Sequence, residues 1–168
     1  VSDAPPTQKK PGKVLAGGAA AAAAAVMLLS SQLIAPQEGL RTMPYRDPVG
    51  IWTDCYGHTG RDVKPGRRNT LAQCDAKFDA DQTKAILAIG ACTKVAVPIE
   101  SFAAFTSFSF NAGPKPYCKY FAPLVNAGRL KAACAHLSVY VYAGHRKLPG
   151  LVSRRARERA LCEKGLAS

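Results

Sequence analysis

Acidic residues are scarce in this chain: 11 Asp and Glu stand against 23 Lys and Arg in 168 residues, a net charge of +12. Its surface must therefore be basic, which favours polyanionic partners: nucleic acid, anionic lipid or acidic cell-envelope polymers. No nucleic-acid recognition motif accompanies the charge, so nucleic acid is set aside. No C-x-x-C pair occurs, and His58, His136 and His145 stand at no zinc-ligand spacing. Those absences argue against a metal site, and no cofactor is expected. No internal repeat is visible, which removes solenoid and propeller architectures. Charged residues make up only 20% and hydrophobic ones 48%. That balance fits one folded domain rather than a disordered chain, although a run of alanines inflates the apolar share.

The longest absence is of charge itself, between Val14 and Ala35 (VLAGGAAAAAAAVMLLSSQLIA). As a helix this stretch would span roughly 33 Å, enough for a bilayer core. Lys9, Lys10 and Lys13 precede it and would hold that end in the cytoplasm. A cleavable signal needs a small-x-small site, yet a cut after Ala35 would present Leu33 and Pro36. A permanent anchor would be rich in Leu, Ile, Val and Phe, whereas alanine dominates here, with Gly17, Gly18, Ser30, Ser31 and Gln32 added. Reversible membrane residence fits best, with a stable anchor and a cleaved signal as the alternatives. The chain thus divides into a basic N-terminus expected to be disordered (1–13), a membrane segment (14–35) and a globular domain (36–168).

Within that domain, Gly50–Gly60 mixes aromatic and Thr residues with Gly-rich turns, as short strands and a hairpin do. Thr70-Leu-Ala-Gln reads as a capping box opening a helix through Ile89. Ile99–Asn111 reads as a buried helix behind Pro98. Leu124–Val141 and Ser153–Lys164 read as further helices, the last with Arg154, Arg155, Arg157 and Arg159 on an exposed face. The fold class is α+β, a small sheet near the start and a larger helical part. Six cysteines (Cys55, Cys74, Cys92, Cys118, Cys134, Cys162) suit three disulfides in an oxidising compartment; buried free thiols of a cytosolic enzyme are the alternative. About fifteen pairings are open, and pairing of sequence neighbours is the working expectation.

Cutting a glycosidic bond calls for two carboxyl groups, one protonated to serve the leaving oxygen and one ionised to act on water or positive charge. Glu38 and Asp47 flank a short aromatic segment, and Thr53 follows six residues later. Spacing alone is weak: Glu38 could equally cap a helix and Asp47 make an Asx-turn before Pro48. The whole segment EGLRTMPYRDPVGIWTDCYGHTG (Glu38–Gly60) resembles the catalytic stretch of phage-type lysozymes, glycoside hydrolase family 24. SFSFNAG (Ser107–Gly113), Tyr142-Ala143-Gly144 and GLVSRR (Gly150–Arg155) with Glu158-Arg159 extend the likeness over most of 38–164.

The resemblance implies a lysozyme-like fold, with a β-hairpin lobe beside a larger helical lobe. It implies Glu38 as general acid, Asp47 as the carboxylate that activates water, and Thr53 as a holder of that water. His58, Asn111 and Gly113 fall at positions beside the cleft and are candidate substrate contacts, His58 also matching a structural ion pair. Position 55, often Gly in that family, is Cys here; a bridge to Cys74 is expected, with a free thiol the alternative.

The N-terminus is similar to the signal-anchor-release segments of some of these enzymes. That likeness implies export by the host secretion machinery and residence on the periplasmic face of the inner membrane. Release into the periplasm would follow, to cleave peptidoglycan as a monomer. With no cysteine in the segment, gating would come from position or refolding, and the released segment would pack on the domain and help set Glu38. The competing functions are a lytic transglycosylase and an inactive envelope-binding protein.

Overall fold

The computed structural model describes residues 16–47 and 50–167; the expected basic terminus 1–13 lies outside them. The described part of the charge-free segment is one helix, α1 (Ala16–Glu38), which runs through Pro36 rather than ending before it. Ala20–Glu38 is long and apolar enough to cross a bilayer. Here, however, one stripe of it is buried against protein: Val26, Ser30 and Ile34, at helical i, i+4, i+8 spacing.

Three antiparallel strands follow, β1 (Arg41–Arg46), β2 (Trp52–Cys55) and β3 (His58–Thr59), in that order across the sheet. Tyr45 pairs with Thr53, and Thr53 with Thr59. Helix α2 (Leu71–Gly90) opens as expected, because the Thr70 hydroxyl accepts from the Gln73 N–H and the Gln73 amide oxygen accepts from the Thr70 N–H. Helix α3 (Ile99–Ala112) is buried almost all round, from Ser101 to Ser109, so it forms the axis of the helical lobe. Helix α1 lies along it on one side, α2 and α7 (Pro149–Lys164) on others.

The expected helix 124–141 is in fact three pieces: α5 (Ala122–Asn126), α6 (Leu130–His136) and a 3-10 turn (Leu137–Val139). Gly128 stops the first by taking φ +71, a left-handed conformation that costs glycine little. The N–H groups of Ala127, Gly128 and Arg129 then close on carbonyls of residues 123–125. Upstream, a single turn α4 (Pro114–Pro116) and a π-helical stretch (Tyr117–Phe121) feed aromatic rings inward. Phe105, Phe108, Tyr117 and Phe121 are fully buried, with Phe108 and Phe121 centroids 4.7 Å apart. A second hairpin, β4 (Tyr142–Ala143) with β5 (Arg146–Lys147), leads into α7, which starts at Pro149 rather than Ser153.

The cysteines pair with their sequence neighbours: Cys55–Cys74, Cys92–Cys118 and Cys134–Cys162. The first bolts β2 to the opening of α2. Cys55 itself has φ +52, the region that favours glycine, so a non-glycine residue here carries backbone strain of order 1 kcal/mol. Buried ions fasten the same junction. Asp54 accepts from Lys77 (2.6 Å) and Asn69 (2.8 Å), and His58 sits between Asp81 (2.6 Å) and Asp62 (3.0 Å). Burial pushes the His58 pKa down, but hydrogen bonds and charge from Asp81 and Asp62 outweigh it and leave the pKa raised. The His58 hydrogen bond holds Asp62 down at about 2.

Two predictions follow from this frame. Replacing Cys134 and Cys162 together by serine should lower the unfolding free energy by about 3 kcal/mol, since the loop closed is 28 residues; urea denaturation measures it. His58 contributes stability in full below about pH 6.5, its unfolded value, and loses it as pH rises through its higher folded pKa. The stability lost between pH 6 and 9 should therefore shrink in His58→Asn, as thermal melts across that range would show.

Candidate active site

Glu38 is the last residue of α1, so the helix that could span a membrane also carries the candidate acid. Its side chain is 20% exposed, and Oε1 accepts a 2.6 Å hydrogen bond from Nη1 of Arg154 on α7. The β2–β3 turn presses from the other side. A Cβ on Gly57 would lie 3.3 Å from Glu38 Oε2, a close approach, and its φ of +81 is a conformation that favours glycine.

Asp47 closes the loop between β1 and β2. Its Oδ1 accepts the Ile51 N–H at 2.8 Å, its carbonyl accepts from Gly50, and its N–H donates to the Ile51 carbonyl. The loop is pinned again by Arg46, whose Nη1 donates to the Gly50 carbonyl at 2.6 Å and whose guanidinium lies over Trp52. Thr53 is buried at the centre of the sheet, with its hydroxyl donating to the Ile51 carbonyl at 3.2 Å. Asp47 and Thr53 thus converge on Ile51, which fixes the loop to the strand. Glu38 is thus held by a guanidinium, and Asp47 by backbone groups just past β1.

A cavity of about 490 Å³ opens between this turn and the end of α3, its walls including Gly57, Thr59, Lys84, Phe110 and Gly113. Gly113 therefore shares a cavity with the turn that touches Glu38. Asn111, in the last turn of α3, has its side-chain oxygen accepting from Arg155 Nη2 at 2.9 Å. His58 is buried, with both ring nitrogens occupied by the carboxylates of Asp81 and Asp62.

The sequence reading placed Arg154 and Arg155 on an exposed face; they are 6% and 1% exposed. The reason is Glu158, fully buried and adjacent to both: Arg154 Nε lies 3.4 Å and Arg155 Nε 2.9 Å from its carboxylate. The Ser107 hydroxyl donates to Glu158 Oε1 at 2.8 Å. Burial raises the Glu158 pKa against the pull of Arg155, Ser107 and Arg154, and burial lowers that of Arg155. A signal was present in the sequence: Glu158 stands four residues after Arg154 and three after Arg155, the spacing of helical ion pairs.

The family model for phage lysozyme matches residues 35–158. A SAR-endolysin of Bacteriophage PS119 is 38% identical over 126 residues, 74% of this chain and 75% of that protein. One of Enterobacteria phage PA-2 is 36% identical over 126 residues, 74% and 76%. Among solved structures, the active form of P1 phage endolysin Lyz is similar with a TM-score of 0.75 at 30% identity, over 93% of this chain and 98% of that one. The secreted inactive form of the same endolysin reaches 0.53 at 25% identity, over 82% and 95%. By the reach of these matches across the helical and sheet lobes alike, the chain belongs to the phage lysozyme family.

Proposed function

We propose that the chain is a lytic muramidase that hydrolyses the β-1,4 bond between N-acetylmuramic acid and N-acetylglucosamine in peptidoglycan. Glu38 protonates the bridging oxygen, Asp47 orients and deprotonates the attacking water, and Thr53 helps hold that water, giving inversion at the anomeric carbon. The observation that carries the reading is the seating of Glu38 against Arg154 and the Gly57 turn, a turn that also lines a cavity of about 490 Å³. Asn111 and Gly113 contact substrate along the α3 side of the cleft. His58 serves substrate only indirectly, by holding the turn on α2.

The enzyme is exported by the host secretion machinery and held at the inner membrane by residues 14–35. It acts as a monomer in the periplasm after release. Physical support comes from the composition of α1. Ser30 and Ser31 weaken its partition into lipid, and in the docked state they meet Gln82, which is fully buried. Gln82 Nε2 donates to the Met27 carbonyl (2.7 Å) and to the Ser30 hydroxyl, and the Ser31 hydroxyl donates to Gln82 Oε1 (3.1 Å). The greater likeness to the active than to the inactive form of the P1 enzyme supports reading the docked helix as the working state.

Glu38→Gln should reduce clearing of purified peptidoglycan by about 10³-fold, and wild-type products should carry reducing ends by mass spectrometry. Anhydro ends would mean a transglycosylase instead. Replacing Ser30 and Ser31 by leucine should keep the protein in the membrane fraction after depolarisation, where wild type moves to the soluble fraction. A chain starting at Pro36, which lacks the buried Ile34, should turn over soluble muropeptide substrate more slowly than the full chain; equal rates would sink the docking role.

A further inference from the structure

We propose that Glu158 is a positioning residue that couples the C-terminal ends of α1 and α3, through Arg154 to Glu38 and through Arg155 to Asn111. The inference rests on the assignment of Glu38 as the acid. Two adjacent guanidiniums are buried here, and like charges out of water need an anion between them. Glu158 is that anion. Its Oε1 takes the Ser107 hydroxyl, Arg154 Nε and Arg155 Nη2 (3.2 Å), while Oε2 lies against Arg155 Nε. Each arginine also reaches beyond Glu158: Arg154 Nη1 donates to Glu38, and Arg155 Nη2, shared with Glu158 Oε1, donates to Asn111. The charged groups facing Glu158 are Arg154 and Arg155 of its own helix; α3 contributes Ser107 and α1 contributes Glu38, reached through Arg154.

The division of charge has a chemical purpose. Arg154 stands between two carboxylates, Glu38 and Glu158, so its charge is divided rather than given wholly to one. By sharing Arg154, Glu158 holds the guanidinium in place toward Glu38. Removing the negative charge leaves Arg154 turned wholly on Glu38 and Arg155 free to leave Asn111.

The test is Glu158→Gln, which keeps size and hydrogen-bonding capacity but loses the charge, assayed on purified peptidoglycan across pH well below its melting temperature. The rate at the wild-type optimum should fall about tenfold, and the alkaline limb of the profile should move down by about half a pH unit or more. An unchanged rate, or a lower rate with the limb in place, would overturn the proposal. Ser107→Ala is the milder variant and decides the matter if Glu158→Gln does not fold: its limb should move the same way by less, and an unmoved limb overturns the idea. Arg155→Gln should raise KM while leaving the limb where it is. These outcomes are separable from the identity of the acid. An active Glu38→Gln enzyme would refute the catalytic assignment, whereas the Glu158 test reads only the displacement of a limb that wild type already shows.

Discussion

The ion pair between Arg154 and Glu38 joins α7 to α1 across 116 residues of chain. Helix α3 makes the meeting possible, because it is buried nearly all round and packs against both α1 and α7. Since Glu38 stands at a helix end rather than within the sheet, its position is set by how that helix docks, whereas Asp47 and Thr53 are placed by the strands and their connection.

Helix α1 has a composition compatible with two surroundings. A bilayer asks for about 20 apolar residues, and a protein surface asks for a stripe that fits its neighbour. That stripe is Val26, Ser30 and Ile34, while the described alanines stay partly or wholly exposed and the serine hydroxyls turn back on their own helix. Ser30 and Ser31 donate to the carbonyls of Val26 and Met27, so they need no partner in lipid, and in the docked state they gain Gln82 as well. Leu28 remains 62% exposed, a residue that suits lipid and finds no place in the protein core.

Much of this was legible in the chain before any coordinates. The capping box at Thr70, the buried helix behind Pro98 and the charge-free run each follow from local rules, since side-chain period and capping depend on near neighbours. The family likeness was legible only through the full context from Glu38 to Gly60. What escaped was long-range. Four arginines close together read as a solvated face, and nothing within α7 tells that two of them turn toward Glu38 and Asn111 on other helices. The break at Gly128 was also missed, because apolar residues continue on both sides and only the left-handed turn at the glycine interrupts them.

All three disulfides close loops of 19 to 28 residues, and every bridged cysteine lies between positions 55 and 162. None therefore reaches α1, which is joined to the rest covalently only through its C-terminal end. The cross-linked body is thus complete without α1, and in kinetic terms any docking or undocking of that helix would break no covalent bond.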